Sequence, residues 1–264
     1  ASLGLAMAAA IRRPRVAVLA TGDEVLEPGT PPSLGRLFDS NSYGVAAALR
    51  RWGADPILVG IAKDNMDDLR SKIRIGLEAD FLITSAGVSA GAFDMVKEAL
   101  TELGTMDFWA VKMRPARPLA FGLLSAPDGR QVPHLGLPGN PVSALVALVE
   151  IARPAIAKLK GSGHHPLPTV TAVLDDDLLN LDGRRVYARV TVNRREDGLH
   201  AQLTGAQGSN LLTSMQLAQG LAICPEDIAC KHAGERVAVQ LLDWLDHSQL
   251  LTENIDITKN QGTS

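Results

Sequence analysis

From residue 14 to residue 160 the chain repeatedly follows a short apolar run with a stretch of helical spacing, and this alternation restricts the fold more than any other feature. The runs RVAVLA, PILVGIA, DFLITS, DFWAVKM, LAFGLL and PHLGL read as strands, and helices are predicted to start near Ser40, Asn65, Phe93 and Pro141. Strands and helices joined by short connections predict an α/β domain, a mostly parallel sheet with helices on both faces. In such sheets ligands collect beyond the carboxyl ends of the strands. The turns that leave those ends are therefore where function is to be sought.

Past the Gly- and Pro-rich connector at 161–168 the pattern changes. TVTAVL, RVYARVTV, LHAQLTG and RVAVQLL alternate or are β-branched, which predicts a small all-β domain over 169–246. Residues 1–13 read as a linker ahead of the first strand, and the polar stretch 247–264 carries no core pattern and reads as a mobile tail. A formal net charge of −3 sets up no field that favours nucleic acid, so an anionic ligand must be held by local groups. No apolar run reaches the roughly 18 residues of a membrane span, and in ASLGLAMAAAIRR the charges follow the apolar part, unlike a secretion signal. A cytosolic protein with no membrane partner is expected. Cys224 and Cys230, in ICPEDIAC, match no zinc spacing and read as isolated buried thiols. His164 and His165 read as part of a solvated linker, and Asp175–Asp177 as a solvated loop or strand edge.

Four strand ends carry acidic or glycine-rich turns. TGDE places Asp23 and Glu24 after the first strand; FDSN places Asp39 and Asn41 at a helix start, where an N-cap role competes. KDN places Asp64 after PILVGIA, again in competition with capping. FLITSAGVSAGAFD ends a buried strand in a turn whose Gly87 and Gly91 let backbone N–H groups face an anion, with Asp94 close behind. A carboxylate beside a phosphate site is repulsive unless a divalent metal lies between, so Asp64 and Asp94 are the candidate Mg²⁺ partners. RPARP offers two guanidiniums, Arg114 and Arg117, on a segment stiffened by Pro115 and Pro118 and suited to an oxyanion; a surface loop of solvated arginines is the competing reading. GLPGNPVSA forms a stiff turn in which Asn140 is the predicted N-cap, Pro141 the first helical residue, and Ser143 faces an anion.

In this order and spacing TGDE, DSN, SAGVSAGAFD, RPARP and GLPGNPVSA resemble the molybdopterin molybdenumtransferases, relatives of the carboxy-terminal part of gephyrin. RRVYARV and GAQGSNLLTSMQLAQGLAICPED resemble the carboxy-terminal domain of that family. The resemblance implies an enzyme of molybdenum cofactor synthesis that binds molybdopterin adenylate and molybdate, and with Mg²⁺ releases AMP while molybdenum enters the dithiolene. It implies that Glu24, Asp64 and Asp94 are catalytic, the last two metal-binding. Gly87, Ser89 and Gly91, with Pro138, Gly139, Pro141 and Ser143, would hold substrate and phosphate. Arg114, Arg117, Pro118, Arg189 and Ser209 would hold molybdate. It further implies a homodimer of a longer chain, of which this sequence is a fragment lacking an amino-terminal part. The sequence departs from the family pattern at Ala86, where a second glycine is usual, and in the oxyanion loop, where arginines replace lysines and Ala116 replaces glycine. Two other readings share these motifs: a molybdopterin adenylyltransferase, and a degenerate ligand-binding or scaffold module.

Overall fold

A computed structural model describes residues 1–85, 90–163 and 166–243, without the side chains of 90–93. The chain forms two compact units, Ala1–Val111 with Pro115–His165, and Lys112–Arg114 with Pro166–Ser264.

The first unit opens with β1 (Arg15–Thr21), the short strands β2 (Val25–Leu26) and β3 (Leu37–Phe38), α1 (Asn41–Arg51), β4 (Asp55–Ala62), α2 (Met66–Gly76) and β5 (Phe81–Ser85). It continues through α3 (Ala90–Leu103), β6 (Gly104–Ala110), β8 (Pro118–Ser125), β9 (Gln131–Leu137), α4 (Pro141–Ala147) and α5 (Arg153–Leu159); β7 (Met113–Arg114) interrupts this series. The six main strands lie in the order β4-β1-β5-β9-β8-β6. β4, β1, β5 and β9 are mutually parallel, whereas β8 runs antiparallel to both of its neighbours, so the sheet is mixed. Burial follows the pleat. Ala17, Leu19 and Leu82 face α2 and α3, whose Leu69, Ile73, Leu77, Val96 and Leu100 close one core. Val16, Val18 and Ile83 alternate to the other face, where α1 packs on β1 and β4 and against α4. The predicted α/β architecture is the one observed.

α2 shows why the helices start where they do. Asn65 accepts a hydrogen bond from the Asp68 N–H at 2.9 Å, Asp67 and Asp68 lie in the first turn, and Arg74 lies in the last. Strand DFWAVKM is corrected: β6 begins at Gly104 and stops at Ala110, because its antiparallel register with β8 runs from Gly104–Leu124 to Ala110–Pro118. Met113 leaves that sheet and pairs with the second unit.

In the second unit β10 (Thr169–Leu174), β11 (Leu178–Leu179), β12 (Arg185–Arg195) and β13 (Gly198–Leu203) precede α6 (Leu212–Gln216), β14 (Gly220–Cys224), β15 (Cys230–Lys231) and β16 (Arg236–Leu241). The order β13-β10-β16-β14-β12, with β13 also paired to β12, closes five strands on themselves; β7 adds to β12. Every second residue points inward: Val186, Ala188, Val190 and Val192 on β12, Val237, Val239 and Leu241 on β16. β14 is not predicted from sequence, since GLAIC is continuous rather than alternating. Asp175–Asp177, expected to be solvated, are all bonded; Asp177 is exposed, and Asp175 and Asp176 are half-buried. Asp175 takes Arg195 and His200, Asp176 takes the Leu203 N–H at 2.9 Å, and Asp177 takes the Ala233 N–H at 2.8 Å. No helix among the described residues is long and apolar enough to cross a membrane. The stretch 247–264 and the pair His164–His165 lie outside the described residues.

Candidate functional site

The carboxyl ends of β1, β4, β5 and β9 are cross-tied into one rim. After β1, the Gly22 N–H donates to the Ala62 carbonyl at 3.1 Å, and Asp23 Oδ1 accepts the Asp64 N–H at 3.2 Å, which joins the β1 and β4 turns. Asn41, at the start of α1, donates through Nδ2 to Ser85 Oγ at 2.7 Å and to the Gly139 carbonyl at 2.8 Å. One side chain thus holds the ends of β5 and β9. Gly22 has φ +127°, and a Cβ there would lie 2.6 Å from the Glu24 carboxylate, so the turn that presents Glu24 requires glycine.

At the rim capping falls to some of the candidate residues and not to others. Asp39 is buried and accepts the Ser42 N–H at 3.0 Å, so its carboxylate does serve the start of α1. Asp64 is half-buried, and its neighbour Asn65 caps α2, leaving the Asp64 carboxylate free of that duty. Asp94 is exposed on α3, and Gly91 lies one turn earlier in the same helix. Gly87 and Ser89 lie outside the described residues. Pro138, Gly139 and Pro141 form the half-buried turn after β9, Asn140 occupies the N-cap position without a side-chain cap bond, and Ser143 is buried in α4.

The cationic candidates divide between the units. Arg117 is exposed beside Pro118 at the start of β8, with no ion pair among the described residues. Its carbonyl accepts the Val111 N–H at 2.8 Å, which closes the loop. Between them Ala116 is buried at φ +77°, the one non-glycine residue in the left-handed region among those described. The alanine that departs from the family pattern therefore sits where the backbone favours glycine. Arg114 belongs to the second unit, where it donates to the Leu179 carbonyl at 2.5 Å and lies 3.7 Å from Asp182.

Arg189 is the largest fully buried side chain. It lies between inward-facing Ala188 and Val190 on β12, so it points to the other face, beneath the 207–214 segment. There Nε donates to Ser214 Oγ at 3.2 Å and a terminal nitrogen to the Gly208 carbonyl at 3.1 Å. Gln207 accepts the Arg189 N–H at 2.8 Å. Ser209, half-buried, follows Gly208 directly in the chain. No carboxylate pairs with Arg189 among the described residues, and burial pushes its guanidinium down to about 10, still cationic at neutral pH. Sequence reasoning missed Asn41 as the tie between strand ends; its two partners are 44 and 98 residues away, beyond any local signal.

A mixed α/β sheet whose strand ends carry carboxylates and a Pro-Gly-Asn-Pro turn, followed by a closed β unit, defines a ligand-binding α/β class with an appended β unit. Residues 17–158 match the family described as "Probable molybdopterin binding domain", and residues 171–242 match the "MoeA C-terminal region (domain IV)". The chain belongs to this family of molybdenum cofactor biosynthesis proteins. It is 34% identical over 248 residues to a molybdopterin molybdenumtransferase of Haemophilus influenzae, covering 93% of this chain and 60% of that one. A Nostoc molybdopterin molybdenumtransferase is 37% identical over 218 residues, covering 81% and 50%. The crystal structure of a molybdopterin biosynthesis MoeA protein from Pyrococcus horikoshii superposes with TM-score 0.72 at 27% identity, over 87% of this chain and 54% of that one. The chain thus spans three-fifths or less of these relatives.

Proposed function

We propose that the chain carries the molybdenum-inserting step of molybdenum cofactor synthesis: molybdate reacts with molybdopterin adenylate, AMP leaves, and molybdenum enters the dithiolene. The observation that carries this reading is the rim, where Asn41 and Asp23 tie four strand ends together beside Glu24 and Asp64. The reading takes the longer relatives as its guide and extends to a homodimer and a cytoplasmic setting.

The donor set suits Mg²⁺. Hard carboxylate oxygens are what that ion takes, and Asn65 rather than Asp64 caps α2, so the Asp64 carboxylate remains available. Asp64 and Asp94 would hold it, and when bound it neutralises charge on the phosphoanhydride as AMP departs. Glu24, curled over Gly22, orients the nucleotide side of the rim. Gly87, Ser89 and Gly91 would supply donors to phosphate, and Pro138, Gly139, Pro141 and Ser143, from the turn after β9 into α4, would hold the substrate. Arg117, exposed and without an ion pair among the described residues, offers its guanidinium beside Pro118 on a stiff loop to the oxyanion. In the second unit Arg189 is a buried cation with no carboxylate partner among the described residues, which an anion would compensate, and Ser209 follows its partner Gly208 in the chain. Arg114 is already engaged by Leu179 and Asp182, and its share is positioning.

The test is to incubate the purified chain with molybdopterin adenylate, molybdate and Mg²⁺ and to measure AMP. Molybdate-dependent release is expected. Adenylate synthesis from ATP in its place would move the chain to the adenylyltransferases, and tight binding without either activity would make it a binding module.

A further inference from the structure

The second unit carries a cluster of metal-ligating side chains to which nothing above gives a role. β11 and β15 pair antiparallel with Leu178 opposite Lys231 and Leu179 opposite Cys230. One step further along that register, Asp177 comes opposite His232. Residues two apart on a strand share a face, so Cys230, His232 and Asp177 present their side chains to the same side. Cys230 is thus half-buried on a short strand rather than sealed in a core, as the sequence suggested; Cys224, on the inner face of β14, is the sealed one.

The distances are those of a metal site. Cys230 Sγ lies 3.6 Å from His232 Nδ1, and His232 Nδ1 lies 3.5 Å from Asp177 Oδ2. All three ligand atoms fall within 4.8 Å of one another. Zinc bonds of about 2.3 Å to sulfur and about 2.0 Å to nitrogen or oxygen, at the tetrahedral angle, require ligand atoms roughly 3.3–3.6 Å apart. Two of the three edges already have that length. The backbone holds the arrangement. Asp177 Oδ1 accepts the Ala233 N–H at 2.8 Å, which leaves Oδ2 for the cluster, and Glu235 Oε2 accepts the His232 N–H at 2.5 Å.

We propose that Asp177, Cys230 and His232 form a Zn²⁺ site with three protein ligands and a fourth position open to water or an outside ligand. Thiolate and imidazole beside one carboxylate select a borderline-soft cation and disfavour Mg²⁺, which takes six oxygens. Protein zinc sites with three ligands keep the fourth position for water or another ligand. The proposal stands apart from the molybdenum chemistry and uses none of its residues.

The experiment is a Co²⁺ titration of the tag-free 264-residue chain. One equivalent is expected to give the intense visible bands of tetrahedral cobalt with a thiolate charge-transfer band, both removed by one equivalent of Zn²⁺. Cys230→Ser should abolish the charge-transfer band. His232→Ala and Asp177→Asn should each weaken zinc by at least ~10-fold, since loss of even an outer partner of a zinc ligand costs that much. Cys224→Ala should change nothing. As a second readout, Zn²⁺ should protect Cys230, and not a denatured control, from a maleimide. Octahedral cobalt spectra, or Cys230→Ser binding as tightly as the parent chain, would show the cluster to be only a hydrogen-bonded surface turn.

Discussion

The two units use the same residue types in opposite ways. In the second unit two neighbouring carboxylates are committed to structure: Asp175 bonds Arg195 and His200, and Asp176 a backbone N–H. At the rim of the first unit Asp64 gives its N–H to Asp23, and among the described residues its carboxylate takes no partner. The histidines divide likewise. His134 is fully buried in β9 with one polar partner among the described residues, Thr84 Oγ1 at 3.0 Å, and burial pushes it down to about 3. His200 lies between Asp175 at 2.9 Å and Asp197 at 3.0 Å, and hydrogen bonding to Asp175 holds it above its ordinary value. A charged group with neighbours of opposite sign is being used to stabilise the fold. One presented without them is available to a ligand or must stay neutral.

The largest expected effect follows from the carboxylates. Asp64→Asn should cut AMP release by at least ~100-fold while leaving the thermal midpoint unchanged, in the range seen when one preorganised polar group is lost. Asp175→Asn should do the reverse, costing about 1–3 kcal/mol of stability because His200 and Arg195 lose their shared acceptor. Denaturation curves and single-turnover AMP release on the same preparations decide the matter. If Asp64→Asn costs stability and not turnover, the rim carboxylate is structural and the contrast fails.

Next in size is the response to acid. The unfolded chain takes a proton on His134 below about pH 6.5, which the folded chain refuses until about pH 3. The first unit should therefore lose about 1.4 kcal/mol per pH unit as pH falls through that window, with no effect above it. His200 has the opposite sign. Its contribution is complete below its unfolded pKa of about 6.5 and is lost as pH rises through its raised folded value. Native-state hydrogen exchange of β5 and β9 against β12 and β13, between pH 8 and 5, should show protection falling in the first pair and rising in the second. His134→Gln, which keeps a partner for Thr84, should flatten the first response. Parallel movement of both units would contradict the assignment.

Asn41→Ala is expected to be milder, about 1–2 kcal/mol, because two hydrogen bonds are lost but Ser85 and Gly139 partly regain water. It should also lower turnover, since β5 and β9 are no longer tied. Asn41 marks the limit of what sequence can tell. The strand-helix alternation and the acid after each strand were readable because each is local: a strand end, a turn residue, a cap. DSN could be seen as a helix start, but not that its asparagine reaches Gly139, which is near only once the parallel sheet exists. The shortened β6 has the same origin, a register set by a partner strand, as does Asp175, whose partners lie 20 and 25 residues on. Arg189 is the extreme case, an arginine in an alternating strand whose burial depends on a covering segment that shows no apolar signature.

The smallest effect is expected in the oxyanion loop, at Ala116. An alanine held at φ +77° costs about 1–2 kcal/mol relative to glycine in the folded state. Against that, glycine loosens the unfolded chain by about 0.4–1 kcal/mol, and removing this buried methyl forfeits about 0.8 kcal/mol of transfer energy. The terms nearly cancel, so Ala116→Gly should lie within about 1 kcal/mol of the parent chain, a shift of a few degrees or less. Ala116→Val, β-branched and unable to relax at positive φ, should fall by about 2 kcal/mol or more. The near-cancellation explains how the loop can carry alanine at positive φ, because the methyl recovers in packing what the backbone loses in strain. If Ala116→Gly proved stabilising by several kcal/mol, the loop would be storing strain, and Arg117 beside it would be held in place by force rather than by packing.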